Sequence, residues 1–361
     1  MNTQYCVIMA GGVGSRFWPS STQKQPKQFL DILGTGHSLL QMAYTRATKI
    51  FDKENIIIVT NDTYVPLVKK QLPDLPEQNI LGEPVKRNTA PCIAYAAFKI
   101  KKICPKATMV VTPADHLITD EENYLQTLKT SMEICAEHNF LITLGIKPLR
   151  PETGYGYIQF SETSITVHPS IFKVKTFTEK PNLEMAKVFI ESGEFLWNSG
   201  LFIWNVDAVL NGLERNLPDL FSTFNDGWDA YGTDQEIDFI NKIYPSCDNV
   251  SIDYGLMEKA KNVYVMPASF GWSDLGTWSS VHEQMTADEN GNAFAGKKIL
   301  AYNTKNSLVV NSGNKLLVVD GLDGYIVVEG ARAMLIYPKE KEQDIKSVVS
   351  DVRMKWGEDF I

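Results

Sequence analysis

Over the first 144 positions, short continuous apolar runs alternate with stretches of helical spacing. Tyr5-Cys6-Val7-Ile8-Met9 is the first run. Ile56-Ile57-Ile58-Val59-Thr60, Asn79-Ile80-Leu81, Thr108-Met109-Val110-Val111-Thr112 and Leu141-Ile142-Thr143-Leu144 follow. Runs of β-branched residues without polar alternation predict strands covered on both faces. Between them the spacing predicts helices from Ser38 to about Phe51, from Asp62 to Leu72, from Asn88 or Thr89 to about Ile103, and from about Asp120 to Asn139. Ser38-Leu39-Leu40-Gln41 has the Ser-x-x-Gln form of a capping box, and Pro91 fits a first helical turn. Strands alternating with helices predict crossover units. The expected fold is α/β: a Rossmann-like mixed, mostly parallel sheet with helices on both faces. Such sheets hold ligands beyond the carboxyl ends of their strands.

The middle of the chain departs from this rhythm. Gly154 to Phe160 reads as a turn feeding a strand, Lys173 to Glu179 alternates, Glu184 to Glu191 is helical, and Phe195 to Trp204 is aromatic and extended. A helical, acidic region follows. From about Phe294 short strands separated by Asn, Gly and Asp form a crude repeat: Ser307-Val310, Leu316-Val319, Tyr325-Val328 and Met334-Tyr337. A charged helix is predicted from Lys339 to Lys355. The pattern divides the chain into residues 1–290, an α/β domain, and 291–361, a small β-rich domain with a terminal helix.

The first strand empties into Gly11-Gly12-Val13-Gly14-Ser15-Arg16. Three glycines in four positions let the backbone approach a ligand, and successive N–H groups can form an anion-binding concavity. Arg16 and Lys27 add a guanidinium fork and a mobile ammonium, a combination suited to polyphosphate. The spacing is neither a dinucleotide fingerprint, since Phe17 stands where a third glycine belongs, nor a P-loop, which needs Gly-Lys-Ser/Thr. The rival reading is a tight turn with two surface cations.

Charge sharpens this. The chain carries a net charge of −8, which argues against nucleic-acid binding and leaves an anionic substrate dependent on a local positive pocket. Five scattered cysteines without Cys-x-x-Cys spacing read as free thiols in a reducing compartment. No basic, apolar leader and no apolar stretch of about 18 residues is visible, so the expectation is a cytoplasmic protein without a membrane partner.

Gly11-Gly12-x-Gly14-x-Arg16-x-x-Pro19 together with Pro26-Lys27-Gln28-Phe29 resembles the signature of sugar-1-phosphate nucleotidyltransferases. The Pro26-Lys27-Gln28-Phe29 form is most similar to their guanylyltransferase branch, which acts on mannose 1-phosphate. The resemblance spans nearly the whole chain, with motifs in the family's order. It implies transfer of GMP from GTP to mannose 1-phosphate, giving GDP-mannose and pyrophosphate. It also implies a magnesium ion and a homodimer, with the β-rich tail a short left-handed β-helix used in subunit contacts. The fused isomerase domain of longer members is expected to be absent.

The resemblance assigns roles by position. Arg16 and Lys27 would be catalytic, acting on the triphosphate. Gly11, Gly12, Gly14, Ser15, Glu83, Arg87, Asn88 and Thr89 would bind the nucleotide. Glu83 suits guanine, whose adjacent N1–H and N2–H donors a carboxylate accepts in parallel. Asn88 and Thr89 are explained equally well by helix capping. Asp115 and Asp274 would hold Mg2+, although Asp115, just before a helix, is also placed to cap it. Gly156, Glu179, Lys180, Asn198, Gly200 and Asp253 would bind the sugar phosphate. The alternatives are a pyrophosphorylase for another sugar such as glucose or a heptose, a nucleotide-sugar glycosyltransferase, and a non-catalytic regulatory homologue.

Overall fold

The apolar runs of the first half become the strands of one sheet. A computed structural model describes residues 3–361. It resolves into two compact units. The first comprises the chain up to Gly11, Tyr44–Pro113 and Ile118–Trp272. Its nine-stranded sheet is built from β1 (Gln4–Met9), β2 (Ile56–Asn61), β3 (Ile80–Glu83), β4 (Thr108–Pro113), β5 (Leu141–Ile146), β6 (Gly156–Ile165), β7 (His168–Glu179), β8 (Phe195–Asn205) and β9 (Val263–Ala268), in the order β3-β2-β1-β4-β8-β5-β9-β7-β6. β1 pairs parallel with β2 and β4, β2 with β3, and β5 with β9. β7 and β8 run against the rest. The fold is therefore mixed α/β with a mostly parallel sheet.

Local chemistry explains the helices. Helix Thr89–Ile103 is rich in alanine, and Ala90, Ala94, Ala96 and Ala97 are fully buried, so its backbone lies close against its neighbours. Small side chains permit that approach, while Phe98 stacks on Phe224 and Tyr231 to fill the remaining volume. The expected capping box forms: Gln41 N–H donates to Ser38 Oγ at 3.2 Å, and Ser38 N–H donates to Gln41 Oε1 at 3.0 Å. No helix of the described residues is long and apolar enough to cross a membrane.

The second unit comprises Gly12–Ala43, Ala114–Leu117 and Ser273–Ile361. Its strands are β10 (Ala293–Gly296), β11 (Ile299–Tyr302), β12 (Leu308–Asn311), β13 (Leu317–Asp320), β14 (Tyr325–Glu329) and β15 (Met334–Pro338). β10, β12 and β14 stack in parallel, β11 pairs parallel with β13, and β15 closes antiparallel on β14. Val309, Val319 and Val327 fill the space between these short strands. A second apolar cluster joins Phe17, Trp18, Trp278, Ile326, Val328 and Ile345. The terminal helix spans Ile345–Trp356, shorter than the Lys339–Lys355 expectation. Residues Lys339–Asp344 carry no apolar position to pack and instead form a 3-10 turn.

Candidate active site

In the second unit the glycine-rich loop shapes a cleft around a buried lysine. Gly14 adopts φ 74°, a left-handed conformation, and a Cβ there would lie 2.5 Å from the Lys27 Cβ. Glycine is thus required twice, by backbone angle and by space. Lys27 N–H donates to the Val13 carbonyl at 3.1 Å, which ties the lysine to the loop. The Lys27 side chain is only 4% exposed. Its Nζ donates to Asp115 Oδ2 at 2.9 Å and to the Asp274 carbonyl at 2.8 Å, and lies 5.1 Å from the Phe17 ring centroid. Three separate chain segments therefore fix one ammonium.

The Asp115 side chain remains 36% exposed, so its carboxylate still reaches the cleft. Burial of its protein-facing side opposes ionisation, but Lys27, His116 and its hydrogen bonds outweigh that and hold the carboxyl below its ordinary value. The helix Glu121–Glu137 is capped by Asp120, whose Oδ1 accepts from Asn123 N–H at 3.1 Å. The capping role open to Asp115 thus belongs to another residue. Asp274 Oδ1 accepts from Gly276 N–H at 2.9 Å in a tight turn where a Cβ on Gly276 would collide with the carboxylate.

Gly14, Ser15, Arg16, Lys27, Asp115 and Asp274 line one cleft of about 290 Å³, with His116 and Lys346 among its remaining walls. Gly12 lies in the same unit but is not part of that lining. Arg16 Nε is buried without a hydrogen-bond partner, an unsatisfied donor beside the cleft. The two carboxylates offer hard oxygen donors. Such a set suits Mg2+, which takes one or two carboxylates and completes its shell with phosphate and water.

Within the first unit, Glu83 ends β3 and is buried. Its Oε1 accepts from the Tyr244 hydroxyl, and a Cβ on Gly11 would come within 3.2 Å of its Oε2. Burial pushes the Glu83 carboxyl up to about 7, against the lowering effect of the Tyr244 bond. Arg87 Nη2 donates to the Pro245 carbonyl, next to Tyr244. Asn88, at φ 68°, accepts from Thr89 N–H at 3.0 Å and caps the helix. Thr89 Oγ1 accepts from Ile252 N–H at 2.9 Å. Asn88 thus caps the helix, the alternative the sequence leaves open for it, while the Thr89 hydroxyl ties the helix start to the Ile252 backbone.

A third group, also in the first unit, gathers all six residues expected at the sugar. Gly156 faces Glu179 across the β6–β7 ladder, and a Cβ on it would lie 2.5 Å from Glu179 Oε2. Glu179 pairs with Lys180. Asn198 Nδ2 donates to Asp253 Oδ1 at 2.8 Å, while Asn198 Oδ1 accepts from Thr143 Oγ1 at 3.1 Å and Gly200 N–H at 3.2 Å. Gly200 sits at φ 69°. Burial, then the nearby Glu179 carboxylate, raises the Asp253 carboxyl to about 6. Tyr244, Thr143 and Lys346 were not expected from the sequence, where nothing local distinguishes them from core or surface positions.

The chain is similar to known proteins along nearly its whole length. Residues 5–291 match the protein family described as Nucleotidyl transferase. A mannose-1-phosphate guanylyltransferase of Salmonella montevideo is 37% identical over 357 residues, covering 97% of this chain and 74% of that one. The alginate biosynthesis protein AlgA of Pseudomonas aeruginosa is 37% identical over 350 residues, covering 96% of this chain and 71% of the other. A solved structure from Thermus thermophilus, named mannose-1-phosphate geranyltransferase, matches with TM-score 0.86 at 28% identity, over 97% of this chain and 99% of that chain.

Proposed function

The chain belongs to the nucleotidyl transferase family and is a nucleotidyltransferase, and on that premise we propose that it transfers GMP from GTP to mannose 1-phosphate, giving GDP-mannose and pyrophosphate. The names of its relatives support the substrates. The observation that carries the chemistry is Lys27, buried and fixed by Asp115 and the Asp274 carbonyl in the cleft that Arg16 also lines.

The nucleophile is a sugar-phosphate oxygen, already anionic at neutral pH, so no general base is needed. The obstacle is repulsion between two polyanions. Charge fixed in advance removes it without reorganisation during the reaction, and one such donor is worth ~3 kcal/mol in barrier. Arg16 and Lys27 serve the triphosphate and the charge developing at the α-phosphorus, with Gly12, Gly14 and Ser15 shaping the loop. Asp115 and Asp274 would hold Mg2+, which would supply further charge neutralisation to the phosphates.

Glu83 reads guanine through its N1–H and N2–H, with Gly11 allowing close approach and Arg87, Asn88 and Thr89 ordering the loop around it. Asn198, Asp253 and Glu179 accept and donate to sugar hydroxyls, Lys180 meets the sugar's phosphate, and Gly156 and Gly200 leave room. The residues given these roles all lie within residues 1–290, the catalytic domain. Residues 291–361 form a β-helix-like domain, left-handed as in the family, and their exposed Leu300, Tyr302, Val318 and Ile336 support a homodimer contact. The protein acts in the cytoplasm.

Pyrophosphate release over a panel of four nucleoside triphosphates and several sugar 1-phosphates tests this. GTP with mannose 1-phosphate is expected to give the highest kcat/KM. Preference for ATP or UTP would remove the Glu83 argument, and preference for glucose 1-phosphate would reassign the sugar.

A further inference from the structure

The terminal helix brings a lysine of its first turn to the cleft that Arg16 and Lys27 line. Lys346 is the second residue of helix Ile345–Trp356 and lines the same cleft as Arg16, Lys27, Asp115 and Asp274. Ile345 is fully buried, and Val348, Val349 and Val352 pack into the cluster that contains Phe17 and Trp18. The Trp18 indole N–H also donates to the Phe360 carbonyl at 2.6 Å. The helix start is thus anchored beside the residues that flank Arg16.

The helix's first turn contains no acidic residue, and the preceding Asp344 gives no side-chain cap. A cation at that end opposes the helix dipole. An anion in the cleft reverses this, because the dipole and the ammonium then act on it together. Arg16, Lys27 and Lys346 set three positive charges against the two of Asp115 and Asp274, a local positive balance in a chain of net charge −8. Lys27 is immobilised by two hydrogen bonds in the wall of the cleft, whereas Lys346 stands at its exposed rim. A cation on the solvent side suits a group that must depart.

We propose that Lys346 is a third cation of the polyphosphate site, contacting the terminal phosphates of the nucleotide that leave as pyrophosphate. This rests on the GMP-transfer reading above. Lys346→Ala, Lys346→Arg and, as a control at the other end of the same helix, Lys355→Ala would be compared in the full chain. Two readouts apply: steady-state kinetics in both directions, and calorimetric affinity for inorganic tripolyphosphate in the presence of EDTA. The expected result for Lys346→Ala is a rise of about five- to tenfold in KM for GTP and for pyrophosphate and a matching loss of tripolyphosphate affinity. KM for mannose 1-phosphate and the melting temperature should stay at wild-type values. Arginine should restore most of the loss, and Lys355→Ala should change nothing. Unchanged KM for pyrophosphate and unchanged tripolyphosphate affinity in Lys346→Ala would overturn the proposal, as would a loss that arginine does not rescue. If wild-type protein turned over no GTP, the GMP-transfer reading would fail, while the tripolyphosphate comparison would still decide the role of Lys346.

Discussion

Lys27 and Asp115 stand 88 positions apart in the chain, yet the lysine ammonium donates to the Asp115 carboxylate at 2.9 Å from a position almost sealed from water. A buried ammonium is stable only when paired and hydrogen-bonded. Lys27 has that pairing, and its second bond, to the Asp274 carbonyl, fixes its direction. The same pairing links the candidate cation to both candidate metal ligands.

Replacing Lys27 by methionine keeps the packing on Phe17 and removes the charge. We expect kcat to fall by about a hundredfold or more. Stability should fall by about 1–3 kcal/mol, less than for a fully buried pair because Asp115 is partly open to water. Steady-state kinetics and urea unfolding of the same preparation check both. Near-normal turnover would make Lys27 a structural cation only.

Gly14→Ala tests the loop without removing a charged group. The new Cβ meets the Lys27 Cβ at 2.5 Å and the backbone angle disfavours any L side chain. The expected outcome is a loss of about tenfold or more in kcat/KM for GTP, with little change in KM for mannose 1-phosphate. An equal loss for both substrates would point to general unfolding instead.

The Asp115 carboxyl titrates below its ordinary value of 3.8, because Lys27 and His116 outweigh the cost of burial. For a depressed carboxyl the stabilisation is complete above the unfolded value and disappears as pH falls through the folded one. The stability gap between wild type and Asp115→Asn should therefore hold above pH ~4 and close below it. Unfolding midpoints at a series of pH values measure the gap, and a gap independent of pH would show that the ion pair contributes nothing.

Glu83 titrates the other way. Burial raises its carboxyl from 4.5 to about 7. The stabilisation from a raised carboxyl is present below the unfolded value and is lost as pH rises through the folded one, so Glu83 weakens the free protein between about pH 4.5 and 7. Guanine recognition needs the carboxylate. GTP should accordingly bind more tightly as pH rises through about 7, with proton release on binding below that point. Calorimetry in buffers of different ionisation enthalpy counts the protons. Tyr244→Phe removes the donor to Glu83 and should move the transition to higher pH.

At the sugar group, Asn198→Ala removes the donor to the buried Asp253 and the acceptor for Thr143 and Gly200. KM for mannose 1-phosphate should rise about tenfold or more, with KM for GTP unchanged. A change confined to GTP would separate this group from the sugar.

The local parts of this picture were legible in the sequence because their causes are local. β-branched runs became the parallel strands, and the Ser38–Gln41 capping box formed as its spacing required. Gly14, two positions before Arg16, left the space that Lys27 fills. Roles set by distant packing were not legible. Nothing near Tyr244 marks it as the partner of Glu83, and Lys346 reads as an ordinary charge on a solvated helix until Ile345 is seen to be buried beside Phe17 and Trp18. Asp115 was ambiguous for the same reason, and only the bond from Asn123 to Asp120 shows which aspartate caps the helix.

The most direct test of the account follows oxygen atoms. Mannose 1-phosphate carrying 18O at the non-bridging phosphate oxygens would be turned over with unlabelled GTP, and the products analysed by mass spectrometry. Attack of the sugar phosphate on the α-phosphorus predicts that all label stays in GDP-mannose, one atom of it in the bridge, and that released pyrophosphate is unlabelled. Label in pyrophosphate or inorganic phosphate, or release of pyrophosphate without GDP-mannose, would contradict it.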